Sequence, residues 1–437
     1  PHTMNAPRHI PPDDAQRAAL HNEVLRRPPP RMGLPVHALC VVVANAEVDL
    51  ATECAHLAKL PGQRELDVTQ LASGHLRVQV GASTLRWERH TDFTRYTLTR
   101  ALPPATLIND VPQQYVSQLF PEDGWLEQVP GQTLAATHLV MLWGEPPHAV
   151  TRATAYGHWF AEGAAVASLM GTPPHSCVVT DLALQPDGFA RLLVVAAQGM
   201  GEPRAGRIAQ RLLELETYRI MALRGLPAAQ TLMAPLRDME QTLVAITGDT
   251  QAPPEALLTR LTPLAARVEA SLAAHRPLFD ASRAYAAIIA QRLGELREKQ
   301  VADTRTLSEQ IERRLAPALA TMAATERRLD DLSARIARTA SLLQARLTAT
   351  MEQQNRHTIA TLEQTRDRVR RLQLTLAGLT IAVGTACVSG LVWQLARVVQ
   401  KAGVNMEPLF WASAAVPLVL GAVCWGVVKV NRALAPA

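Results

Sequence analysis

In the segment RWERHTDF, residues 86 to 93, Arg86, Glu88, His90 and Asp92 alternate with Trp87, Arg89, Thr91 and Phe93. On an extended strand this spacing puts a carboxylate, an imidazole and a second carboxylate on one face. Those are donor types that ligate a metal or relay a proton. No second histidine stands at metal-ligand spacing and Arg86 shares the row, so the same residues also fit a solvated or salt-bridged face of a surface sheet. A metal-dependent or hydrolytic site would need Glu88, His90 and Asp92 to converge with other groups in a cleft. The stretch VVAAQGMGEPRAGR, 194 to 207, places two glycines between a strand and a helix, where backbone amides could meet a phosphate. It lacks GxGxxG and a Walker lysine, which leaves an ordinary strand-to-helix turn. Glu214, Glu216, Tyr218 and Arg219 crowd one helix, with Glu216 and Arg219 spaced for an ion pair. No GxSxG, HExxH or CxxC occurs, so no pattern names an enzyme, a metal or a cofactor.

These residues sit in a chain of 437 amino acids, long enough for two or three cores. Charged residues make up 19% and hydrophobic ones 48%, a charge content below the roughly 25% of soluble proteins. That deficit implies an apolar segment. The net charge of +5 gathers near the apolar C-terminal region, which argues against nucleic acid as the partner. Cys40, Cys54, Cys177, Cys387 and Cys424 lack paired spacing and read as reduced thiols. Residues 1–33 are Pro- and Arg-rich without a signal-peptide layout and are expected to be flexible.

The elements that must position the chemistry fall in residues 34–250. Strands are expected at 34–45, 75–81, 84–99 (as two or three), 136–144, 176–184 and 189–197, with PDG at 186–188 closing a hairpin. Helices are expected at about 47–60 and from Pro203 to Gly225. Hairpins mixed with helices predict an α+β body, not a doubly wound one. Residues 254–371 read as a helical, coiled-coil-like stalk: Leu315, Met322, Leu329, Ile336 and Leu343 recur every seven residues, beside Ile311, Ala318, Thr325, Leu332 and Thr339. Pro317 predicts a break there, between one helix of about 278–314 and another from about 318. The seam packs either on the chain's own preceding helices, the favoured reading, or on copies of itself in a homo-oligomer.

From Leu372 to Ala396 no residue is charged, and the run from Pro408 to Val428 is also uncharged. Each exceeds the ~20 residues a helix needs to cross a bilayer, so a two-helix transmembrane hairpin is expected at 372–397 and 408–428, within residues 372–430. Arg366, Arg368, Arg370 and Arg371 precede it and Lys429 and Arg432 follow, which predicts both termini on the cytoplasmic side of a bacterial inner membrane.

Several motifs together resemble a known family: NEVLRRP at 22–28, LRWERHTDF at 85–93, DGFARLLVV at 187–195 and GRIAQRLLELETYRIMALRGLP at 206–227. The chain resembles the bacterial membrane-anchored Domain of Unknown Function 3422 family over nearly its whole length. In that family the first motif reads more like NEVHARP, and here Leu25 stands where the histidine would be. The resemblance implies membrane attachment and supplies no activity. The connector AGVNMEP, with Gly403, Val404 and Asn405, resembles a variant of the Gly-Met-Asn signature of CorA-type divalent-cation channels, although Arg397 and Lys401 oppose cation entry. The sequence therefore leads to a membrane-tethered binding or scaffolding module whose protein or small-molecule partner it does not name, with an oligomeric channel and a tethered metal enzyme as alternatives.

Overall fold

The computed structural model describes residues 14–17, 20, 29–104, 106, 124–148, 160, 166–402 and 408–434. Nine strands form one mixed sheet: β1 (Val36–Ala44), β2 (His75–Val80), β3 (Ser83–Arg89), β4 (Phe93–Ala101), β5 (Gln132–Trp143), β6 (Val166–Met170), β7 (Ser176–Thr180), β8 (Ala190–Ala196) and β9 (Glu298–Gln300). Their order is β2-β3-β4-β1-β5-β8-β7-β6-β9, and the β5–β8 pair is parallel while the others are antiparallel. The helices are α1 (Leu50–Leu57), α2 (Val68–Leu71), α3 (Glu202–Leu223), α4 (Gly225–Gly248), α5 (Pro254–Leu296), α6 (Leu307–Lys401) and α7 (Pro408–Leu434).

β1, VHALCVVVA, is buried along almost its whole length because both faces are covered, as its unbroken β-branched run requires. Val36, Ala38, Cys40 and Val42 face one core, with Met141, Val194, Ile208 and Leu212. Leu39, Val41 and Val43 face the other, with Leu57, Trp87 and Tyr96. Ile289, Leu293 and Leu296 of α5 and Leu307, Ile311 and Leu315 of α6 join the first core.

The sequence-based expectation fails in four places. β6 and β9 carry no pattern of their own: Glu298–Gln300 is charged and polar and becomes a strand only by pairing with β6. The helical region breaks at 297–306, where Arg297 (φ 49°) and Asp303 (φ 61°) turn left-handed, and Pro317 lies inside α6. The adjoining ends of α5 and α6 dock on the sheet instead of leaving it as a stalk.

The expected two-helix transmembrane hairpin is not formed either. No glycine or proline interrupts the chain between Pro317 and Gly378, so the apolar run from 372 has no start of its own and ends a 95-residue helix. Among the described residues only that helix is long and apolar enough to cross a membrane. In α7 the apolar stretch is Ser413–Lys429.

The chain divides into two compact units, residues 1–250 with 260–337 and residues 251–259 with 338–437. In the first, the heptad seam of α6 packs on the chain's own helices: Met322 meets Ala229 of α4 and Phe279 of α5, and Leu329 and Ile336 are buried. Arg328 pairs with Glu240 at 2.8 Å and Arg276 with Asp330 at 2.7 Å. Such largely solvent-exposed pairs add little stability. In the second unit, Leu372, Leu374, Leu376, Leu379, Leu391 and Leu395 are all exposed.

Between β1 and β5, His37 Nε2 and His138 Nδ1 lie 3.1 Å apart, both rings buried. Burial first, and then His138, pushes His37 down to about 3; burial is also the main cause that pushes His138 down to about 4. The unfolded chain protonates both near 6.5, so between that pH and the depressed folded values it binds more protons than the native state. Their stabilisation is complete above about pH 6.5 and is lost as the pH falls toward about 4, at roughly 2 kcal/mol per ring by pH 5. Denaturant midpoints measured from about pH 7.5 to about pH 5 should fall in the native chain, and the fall should be smaller in His37→Leu/His138→Leu; equal slopes would refute the assignment.

Candidate functional site

The antiparallel register of β2, β3 and β4 builds polar rows across one sheet face: His75 beside Glu88 beside Arg95, Arg77 beside Arg86 beside Thr97, and Thr84 beside Thr99. The opposite face of the same strands carries Leu85, Trp87, Tyr96 and Leu98, packed with Leu57 of α1. The polar face is roofed by Gln210 and Leu213 of α3 and by a strap, Pro29 to Met32, enclosing a cavity of about 70 Å³. The Met32 amide donates to the Glu202 carbonyl at 3.2 Å, and Pro30 crosses α3 at Gly206. A Cβ at Gly206 would lie 1.7 Å from the Pro30 carbonyl oxygen, so only glycine lets the strap sit there.

Four arginines, Arg31, Arg77, Arg86 and Arg95, line this cavity against one carboxylate, Glu88. Arg95 is 3% exposed, Glu88 4% and Arg86 8%. An Arg86 guanidinium N–H donates to Glu88 Oε1 at 2.8 Å, whereas the approach of Arg95 to Glu88 is 3.8 Å. A second Arg95 nitrogen reaches Thr217 Oγ1 at 3.4 Å. The Nε of Arg86 and the Nε of Arg95 are buried without an acceptor. Burial is the main cause that pushes the Arg86 guanidinium down from its ordinary value. Among the described residues Glu88 is the one carboxylate within ion-pair distance of both buried cations, and Glu214 acts on them only from farther off, so their charge is incompletely balanced, at a cost of several kcal/mol unless an anion joins them. Two guanidinium forks with Thr97 and Thr99 beside them can receive the oxygens of a carboxylate or phosphate.

Glu88, His90 and Asp92 do not form a common site. Strand β3 ends at Arg89, and the turn before β4 returns Phe93 to the face of Arg86 and Glu88. His90 stacks on Phe93 with ring centroids 4.5 Å apart, Asp92 accepts from the Tyr285 hydroxyl, and Glu88 is held by Arg86. Among the described residues no group of three or more His, Cys, Asp or Glu side chains could hold a metal ion. Gly199 adopts φ 85° and Gly201 precedes α3. Glu216 pairs with Arg219 at 2.7 Å, while Glu214 accepts from Arg292 Nε at 2.6 Å. Gly403, Val404, Asn405 and Leu25 lie outside the described residues. Sequence reasoning missed Arg77, Arg95 and the strap. Arg95, Thr97 and Thr99 alternate with Tyr96 and Leu98, so continuing the alternation afresh after the turn would have found that row.

The chain matches the family described as "Protein of unknown function (DUF3422)" over residues 12–434. The chain belongs to this family. No curated protein matches it. A solved structure, "structure of the full-length CmaX protein", is similar at 15% identity, covering 69% of this chain and 89% of that one, with a TM-score of 0.22.

Two substitutions test the site's architecture. Glu88→Gln removes the carboxylate paired with Arg86 and Arg95 and should lower the unfolding free energy by about 3 kcal/mol, a loss that millimolar sulfate should partly restore. Gly206→Ala gains about 1 kcal/mol of helix propensity, yet the clash with Pro30 should make the net effect destabilising in thermal melts. A stabilised Gly206→Ala variant would show that the strap does not seat on α3.

Proposed function

We propose that this member of the DUF3422 family is a membrane-attached binding protein whose sheet face holds a small oxyanion, a carboxylate or phosphate group, between Arg86 and Arg95. The observation that carries the reading is Arg95: a buried guanidinium with an orphaned Nε and its nearest carboxylate 3.8 Å away, at the wall of a cavity. An oxyanion would supply the missing acceptors and balance the excess of arginine over Glu88. The strap and α3 would hold it away from bulk water, where charge-assisted hydrogen bonds are stronger.

Membrane attachment is supported by the uncharged run from Leu372 to Ala396 at the end of α6, whose large apolar side chains are exposed. An apolar surface of that extent is what lipid covers. Arg366, Arg368, Arg370 and Arg371 just before it would mark the cytoplasmic boundary.

Isothermal titration of the detergent-purified chain with sulfate, phosphate and citrate should show binding that Arg77→Ala weakens about tenfold and Arg95→Met abolishes. Anion-independent stability and no heat of binding in the native chain would overturn the site. In membranes from expressing cells the full chain should stay in the pellet through alkaline carbonate washing. Release into the wash would overturn membrane attachment.

A further inference from the structure

On the other side of α3 a second cavity, about 260 Å³, opens between the β6–β7 turn and the end of α5. Its walls include Arg204, Arg207 and Arg211 of α3, Arg297 just after α5, and His175. The spacing 204, 207 and 211 puts three guanidinium groups on one stripe of the helix. Gln210 and Leu213, which roof the first cavity, point to the opposite side. The two cavities are therefore separate sites on one helix.

The charge here is unbalanced. Glu295 is the only carboxylate on these walls, and it is already held by Arg211 at 2.8 Å and by Arg292 at 3.1 Å. Among the described residues no carboxylate pairs with Arg204, Arg207 or Arg297. The backbone holds these groups at some cost. Arg297 sits at φ 49°, a left-handed conformation that a non-glycine residue enters at a penalty of order 1 kcal/mol. Gly171, at φ 94°, lies so close to the imidazole of His175 that a Cβ would meet it at 2.4 Å, so the turn is shaped to lay that ring against the cavity. His175 Nδ1 is engaged with Ser176 Oγ at 2.9 Å. The glycine-bearing turn at Gly199 and Gly201 leads directly into this end of α3, where the helix dipole also favours negative charge.

We propose that this cavity is a binding site for an oligophosphate chain, gripped by Arg204, Arg207 and Arg297, with Arg211 and His175 beside it. Each guanidinium fork matches the two oxygens of one phosphate group, and three forks around one cavity match successive phosphates better than they match a lone anion. The volume is several times that of the first cavity and accommodates such a chain. The phosphates could come from a free oligophosphate or from phosphorylated lipid headgroups, and the test separates the two sources.

The probe is inorganic tripolyphosphate, titrated calorimetrically into the full chain in mild detergent at fixed ionic strength. Arg204→Glu/Arg207→Glu should weaken binding about 100-fold, since two charge-assisted contacts are lost, and Arg204→Gln/Arg207→Gln about tenfold. Both residues are exposed, so the variants should fold, and their thermal melts would verify it. The same loss should appear in an Arg95→Met background, which removes anion binding in the first cavity and so keeps this site's success or failure distinct from the other's. Absent binding, or equal binding by the charge-reversed variant, would overturn the proposal. Tripolyphosphate binding that phosphatidic acid vesicles do not displace would assign the site to a free oligophosphate, and displacement by them would assign it to lipid headgroups; binding to the vesicles without binding to tripolyphosphate would overturn the proposal in favour of a membrane-surface contact.

Discussion

The buried ion cluster of Arg86, Glu88 and Arg95 constrains everything built over the β2–β4 end of the sheet. Charged side chains on a sheet face must be solvated, paired or covered by groups that tolerate them. Here the cover is α3 together with the Pro29–Met32 strap, and the strap reaches its place only because Gly206 has no side chain. The other face of the same strands needs no such arrangement, since Leu85, Trp87, Tyr96 and Leu98 bury themselves against α1. One hairpin thus separates an apolar core from a cationic cavity across the thickness of a single sheet.

Helix α3 joins these requirements. Its buried stripe, with Ile208, Ala209, Leu212 and Leu213, anchors it to the sheet, which leaves its two flanks to look into different cavities. Arginine dominates both, because a planar guanidinium keeps its charge under partial burial and offers paired donors to oxyanions. Glu214 and Glu295 then limit the excess by pairing with Arg292 and Arg211 along the same packing surface. Anion chemistry, more than acid–base or metal chemistry, is what such a donor set favours.

In the second unit the same economy of charge disappears. The final third of α6 changes from a polar helix to one whose leucines face outward, with no break in the backbone. Helix propensity is continuous across Arg371 and Leu372, so the change from a polar to an apolar surface is written in side chains alone.

The sequence by itself determined what depends on local pattern. The β-branched run of β1, the PDG turn between β7 and β8, the start of α3 at Glu202–Pro203 and the seven-residue seam of α6 were all legible, because period and turn chemistry act over a few residues. The apolar run from Leu372 was equally plain, but not that it continues α6 as one 95-residue helix instead of opening a two-helix hairpin. Tertiary structure alone decided the rest. Whether Glu88 joins His90 or Arg95 depends on where β3 turns into β4, and Glu298–Gln300 is a strand only because β6 lies beside it. Arg95 reaches Thr217, 122 residues away, and the strap that covers its cavity comes from Pro29 to Met32; contacts closed across that much chain leave no periodic trace for a sequence to show.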